Sequence, residues 1–332
     1  MNRDEKDPFE WRNGGKKFEV GDQEDGDMSA IVNLGDSLLC VKRKGVYIIR
    51  LADEIDPKRT NPNIPDIQQK VLTYGSDEPF VARTLLQADE LFKGNFLSKN
   101  FNTLKGVNIS WSLAKEIASL HEINVAFTKV EGLKNSSFKG KTEADLSLHI
   151  PSISNVEQQT KQFIINADHA VKHIMELAQL FYPSISNDKW SLHLYEELKK
   201  QNGAKDPATL FVESMQLWVW LIRNLRNAVE HPKQNDKVEI SDYKLTEKGI
   251  IMSPSIQYNN KDTPLSEIPI TKFMTDTVEG IQIRFELLLA YLCNVNTSSA
   301  VGDVLRVVEI PMSERQTNKV NVRFEFQIVY PK

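Results

Sequence analysis

A chain of 332 residues with 45 Asp and Glu against 41 Lys and Arg has a formal charge of −4. That excludes a protein that coats nucleic acid through bulk electrostatics, though it leaves room for a local basic site. Hydrophobic content of 40% and charged content of 26% are ordinary for a globular chain, long enough here for two domains. No apolar run reaches a membrane span, Met1 to Asp7 is not a signal peptide, and Cys40 and Cys293 lack ligand-like spacing. A cytoplasmic protein with reduced thiols and no membrane contact is expected.

Residues 1–27 are acidic, contain four glycines and hold few aliphatics. They read as a disordered or loosely attached tail, anchored through Phe9 and Trp11. Residues 28–150 form a mixed α/β region to which no role attaches. Within it, Leu38 to Lys42 and Val46 to Leu51 flank Arg43-Lys44-Gly45 and predict a β-hairpin. Pro57, Pro62 and Pro65 make 52–65 a loop. Helical spacing runs over 78–93, and a second helix is expected at about 110–123 with Ser110 as its N-cap. The stretch 126–154, rich in Lys, Ser and Gly, reads as a linker. Its Gly140-Lys141-Thr142 lacks the leading glycine and the preceding strand of a phosphate-binding loop.

Beyond the linker the pattern becomes helical. Phe163, Ile164, Ala167, Ala170, Val171, Ile174, Leu177, Ala178 and Phe181 form one broad stripe over 155–181. A shorter helix spans 188–201 and ends near Gly203. Asp206-Pro207 opens a third as N-cap and first residue, and it runs to Pro232. Val238 to Tyr258 reads as a hairpin turning at Thr246–Gly249, and a fourth helix covers 271–293. The last strands, Val304 to Ile310 and Val320 to Tyr330, alternate at period two. The expected fold is α+β and mainly α. An antiparallel bundle occupies 151–295 with a hairpin insertion at 237–259, and strands in 296–332 pack on the hairpin sheet.

The chemistry concentrates in Trp218 to Pro232. At 100° per residue Leu221, Ile222, Leu225, Ala228 and Val229 share one side. Arg223, Arg226, Asn227, Glu230 and His231 share the other. Pro232 disfavours the α conformation at the residue before it, so His231 ends the helix. Val219 and Trp220 flank the arginines on this polar side, and an indole there suggests a surface covered by a partner.

Arg226-Asn227-Ala-Val-Glu-His231 is an Arg-x4-His motif with a polar residue after the arginine, at the end of a late bundle helix. It resembles the signature of the HEPN family, a helical-bundle superfamily with many RNA-cleaving members, over about 155–295. The resemblance implies a HEPN-like bundle and metal-independent RNA cleavage leaving 2′,3′-cyclic phosphate and 5′-hydroxyl ends, with no cofactor. The implied catalytic residues are Arg226, Asn227 and His231, with Arg223 and Glu230 supporting them or binding phosphate. A homodimer that brings two motifs together, here through Val219 and Trp220, is also implied. So are a toxin or phage-defence role and an antitoxin or regulatory partner.

The residue types suit that chemistry. A histidine titrates near neutrality and can move protons, and an arginine fork can hold a phosphate. Two plainer accounts stand beside it. In one, a non-catalytic HEPN-like module uses the bundle to dimerise or to bind nucleotide or RNA. In the other, Arg226 merely pairs with Glu230 at i+4 on a solvated face. His169 and His173 also have a spacing that can bind zinc, but no third ligand accompanies them and no metal is expected. Arg43-Lys44 and Lys199-Lys200 read as solvated turn and helix-end charges.

Overall fold

The computed structural model describes residues 9–13, 19–94, 96–97, 101–138, 147–233, 236–298, 305–315 and 322–329. In chain order the elements begin with α1 (Glu10–Asn13), β1 (Met28–Asn33), β2 (Leu38–Lys42), β3 (Val46–Arg50), α2 (Ala52–Ile55) and β4 (Ile67–Leu72). Then come α3 (Pro79–Val81), a π-turn at Ala82–Leu86, α4 (Gln87–Phe92) and α5 (Thr103–Ser137). Three long helices follow: α6 (Val156–Phe181), α7 (Trp190–Asn202) and α8 (Pro207–Glu230). Strands β5 (Lys237–Ser241), β6 (Lys244–Leu245), β7 (Ile251–Met252), β8 (Ser255–Asn259) and β9 (Leu265–Pro269) precede α9 (Ile270–Val295). The chain closes with β10 (Leu305–Glu309), α10 (Met312–Arg315) and β11 (Phe324–Ile328). The architecture is α+β. It divides into two units, Met1–Trp111 with Cys293–Lys332, and Ser112–Leu292.

In the first unit the expected hairpin is the centre of a four-stranded antiparallel sheet ordered β1-β2-β3-β4. Buried residues fill both faces of its middle strands, with Leu39 and Val41 alternating with Cys40 along β2. The second face is covered by the supposed tail. Val20 packs against Cys40, Tyr47 and Ile49, and the Lys42 ammonium donates to the carbonyls of Val20 (3.0 Å) and Asp22 (2.5 Å). Asp25 accepts from the Tyr47 hydroxyl and pairs with Lys70 at 2.8 Å. Gly21, at φ +59°, lies so close to the Tyr47 ring that a Cβ there would clash at 2.1 Å.

Residues 9–13 are held as well. Trp11 Nε1 donates to Pro62 O at 3.1 Å, and buried Arg12 pairs with Asp53 and Asp56. The reading of 1–27 as a loose tail is therefore wrong for its described parts. Their polar residues meet partners far along the chain, which local composition does not show. The proline-rich 52–65 also contains a short helix, α2.

The C-terminal strands β10 and β11 pair with each other in a two-stranded antiparallel sheet. β11 is fastened by Gln87, fully buried on α4, whose amide accepts from Arg323 N and Phe324 N (both 2.9 Å) and donates to Phe324 O at 2.8 Å. One side chain thus satisfies three backbone groups of the strand, which otherwise carry a desolvation cost of about 1–3 kcal/mol each when buried. Of the expected strand residues, 304, 320 and 330 lie outside the described ones, as does Gly140-Lys141-Thr142.

In the second unit α5 runs on through 126–137, so that part of the expected linker is helix. Phe127, Glu131 and Asn135 explain it: spaced by four, they give the helix a narrow inward stripe. Phe127 and Glu131 are buried, and Asn135 Oδ1 accepts from Tyr243 OH at 2.7 Å. Burial, then Glu131 and Asp242, push the Tyr243 hydroxyl up to about 12, so it remains a donor across the physiological range. Ser110 is no N-cap. It lies buried inside the helix, bonded back to Gly106 O.

α6 buries the expected stripe, from Phe163 to Ala178. α8 is capped as expected, Asp206 Oδ1 accepting from Ala208 N (3.0 Å) and Thr209 N (3.2 Å). The expected hairpin forms as β5–β8, extended by β6–β7, with the turn at Thr246–Gly249 and β9 added alongside β8.

Candidate functional site

α8 carries the motif, and its burial decides what the motif can do. Val212, Met215, Val219, Ile222 and Leu225 are buried, whereas Leu210, Leu217 and Trp220 are exposed. On a 100° wheel the buried arc lies roughly a quarter-turn from where periodicity placed it. The reason is that α8 is apolar on more than one side. It packs on α6 and α7, and its Trp218 takes the Arg284 guanidinium of α9 at 4.2 Å from the ring centre. The apolar residues therefore average to a direction that no single neighbour defines.

Two consequences follow for the predicted residues. Val219, expected at a dimer interface, is 2% exposed and belongs to the chain's own core. Trp220 is 37% exposed and Leu217 63%, and they share the outward face with Asn227 and His231. Leu217 was missed because one outward leucine on an apolar helix looks like core.

The polar residues separate into three environments. Arg226 sits at the inward edge, between helices. Its Nη2 pairs with Glu230 Oε2 at 2.5 Å, its Nη1 donates to Asn227 Oδ1 at 3.2 Å, and its Nε lies 3.9 Å from Asp168 Oδ2 on α6. That Nε is buried without a hydrogen-bond partner among the described residues. Arg223 turns the other way, toward the segment before α7, with Asn187 O at 3.4 Å and Asp188 Oδ1 at 3.7 Å.

His231 is the C-cap of α8. Its backbone N–H closes on Asn227 O at 2.8 Å, and its exposed ring has no side-chain hydrogen-bond or ion-pair partner among the described residues. The structure thus brings Arg226, Asn227 and Glu230 into direct contact, holds His231 one turn on, and draws Arg223 away.

Asp168 is the residue that sequence reasoning passed over. It is 3% exposed and is paired with Lys172 at 2.8 Å as well as facing Arg226. A signal existed: Asp168 falls four residues after Ile164 and three before Val171, inside the apolar stripe, where a carboxylate is rarely tolerated unless paired. Of the two histidines on α6, His173 Nδ1 lies 2.9 Å from Glu176 Oε2 and His169 is exposed. Among the described residues, no group of three or more His, Cys, Asp or Glu could hold a metal ion. Nor, among them, is any helix long and apolar enough to cross a membrane.

Comparisons with family models, with curated proteins and with solved structures give no match for this chain.

Proposed function

We propose that this protein is a metal-independent endoribonuclease whose site is Arg226, Asn227 and His231, completed by a second copy of the chain in the manner of a HEPN-like bundle. The observation that carries the reading is the contrast at the end of α8. His231 is exposed and has no side-chain hydrogen-bond or ion-pair partner among the described residues, while the arginine one turn before it is oriented by two carboxylates. The outward face that bears His231 continues into Leu217 and Trp220, an apolar surface that a two-fold copy would cover. Such a copy also supplies the second proton-transfer group that the reaction needs.

In the reaction, one imidazole takes the proton of the substrate's 2′-hydroxyl as its oxygen attacks the adjacent phosphorus. The bond to the 5′-oxygen breaks, and the partner copy's imidazolium protonates the leaving oxygen. The products are a 2′,3′-cyclic phosphate and a 5′-hydroxyl. Arg226 exchanges Glu230 for the phosphate oxygens, and its fork stabilises the charge of the phosphorane. Glu230 holds the arginine and does not itself meet phosphate.

One observation favours the rival reading, a non-catalytic module for dimerisation or RNA binding: Arg226 is already paired with Glu230, as a plain i,i+4 helix pair would be. Incubation of the purified protein with varied RNAs in EDTA decides between them. Cleavage with cyclic phosphate ends supports the nuclease. A folded dimer that leaves every substrate intact supports the module. A toxin or phage-defence role and an antitoxin-like regulator extend the first reading only.

A further inference from the structure

We infer that the groove between the start of α6 and the end of α8 is a nucleobase pocket for the nucleotide beside the cleaved phosphate, and that it selects a base bearing an exocyclic amino group (adenine, cytosine or guanine) over uracil. This rests on the ribonuclease reading for its placement, though not for its chemistry.

The groove has a volume of about 640 Å³, within the range of small-molecule sites. It begins at Glu230, the carboxylate that holds Arg226, so a phosphate on the arginine places the neighbouring nucleoside at its mouth. Its apolar lining comes from Ile153, Ile165 and Val229, and its hydrogen-bonding rim from Asn155, Gln158 and Gln162. Flat apolar contact edged by amides suits a base, because every base has an apolar face and a donor–acceptor rim.

Charge excludes the alternative of a second phosphate site. Among the described residues of the lining Lys161 is the one cation, and it is bound to Glu157 at 2.5 Å, with Glu230 the second carboxylate. Anionic oxygens would be repelled there, whereas carboxylate and amide oxygens accept from an amino group. The amides of Asn155 and Gln158 make no side-chain hydrogen bond to described residues, so they are open to a ligand. Gln162 uses its NH₂ on Asn166 Oδ1 at 2.7 Å, which fixes the amide plane and leaves its carbonyl oxygen as an acceptor. A second groove of about 520 Å³ against α5 shares Asn155, Gln158 and Gln162, so the same amides wall a path onward for the strand.

The test is equilibrium binding of the full-length protein to 2′-O-methyl hexanucleotides of adenosine, cytidine or uridine, which cannot supply the attacking hydroxyl. At least one of the adenosine and cytidine hexamers should bind about 5- to 100-fold more tightly than uridine, the range of one well-made amide–base pairing. Gln158→Ala, an exposed helical position where alanine is well tolerated, and Gln162→Ala should each bring the hexamers to within about two-fold of one another. A wild-type protein that does not bind, that binds all hexamers alike, or whose preference survives both substitutions overturns the pocket. Cleavage assayed in parallel keeps the two ideas apart. Cleaving protein with unaltered preference loses the pocket and keeps the nuclease, and preferential binding without cleavage does the reverse.

Discussion

Arg12 and Arg226 are two arginines with a buried Nε that no acceptor meets among the described residues, and their surroundings differ. The Arg12 side chain is 1% exposed, and its fork is closed by Asp53, Asp56 and the Asn61 carbonyl, with Phe9 and Trp11 against the guanidinium. The Arg226 side chain is 29% exposed, held at one nitrogen by Glu230, equally exposed, and backed by Asp168. Breaking the first set leaves buried charge with nowhere to go. Loosening the second lets water or an anion take Glu230's place. A closed arginine is a rivet and an open one is free to exchange its carboxylate for an anion, and the surrounding carboxylates and exposure distinguish them.

The largest effect expected from that contrast is catalytic. His231→Ala should lower RNA cleavage about 10²–10⁴-fold with an unchanged melting temperature, since the residue is exposed and its ring has no hydrogen-bond or ion-pair partner among the described residues. Arg226→Lys should recover little of the loss seen in Arg226→Ala, because an ammonium cannot replace a planar fork. Cleavage kinetics beside thermal melting check both. If the variants cleave normally, Arg226 is a rivet after all.

Next comes Arg12→Ala, which should lower unfolding stability by about 2–3 kcal/mol, below the full cost of a broken buried pair because Asp53 is partly solvated. Cleavage per folded molecule should not change. Denaturant titration measures it, and a shift under ~1 kcal/mol would make the two arginines equivalent.

On α8 the same logic separates neighbours. Val219→Ala should cost about 1.5–3 kcal/mol through lost burial and leave association alone. Trp220→Glu should alter stability by no more than ~0.5 kcal/mol and shift sedimentation from dimer toward monomer. The opposite assignment would mean that the outward face is misidentified.

The smallest effect is on pH. Backbone N–H groups of Asn61 and Thr60 bond the Asp56 carboxylate and lower it from 3.8 to about 2, and Lys70 and Tyr47 lower Asp25. Both folded values are depressed, so the stabilisation is complete above pH ~4 and is lost as the pH falls toward 2. Pepsin cleavage near Phe9 to Trp11 should therefore increase between these pH values, while Arg12→Ala should already be cleaved at the upper one.

What could be read from the chain followed from strictly local rules. Asp206-Pro207 announced a helix start, and Thr246–Gly249 announced a turn. The period of 155–181 marked a buried stripe, and Pro232 marked a helix end at His231. Each depends on neighbours within about one turn or two strand residues, where side-chain direction is set by the backbone itself. Asp168 was legible in principle, as a carboxylate in an apolar stripe.

Other features were decided at long range. Tyr243 meets the late stripe of α5, Gln87 fastens β11, and Asp53 and Asp56 bury Arg12, each from far along the chain. The orientation of α8 belongs to the same class. Its sequence contains the arginine, the asparagine and the histidine, but apolar residues on several sides leave its rotation undetermined. Packing against α6 and α7 set that rotation, and so placed Val219 inside, Trp220 outside, and Arg226 against a carboxylate from another helix.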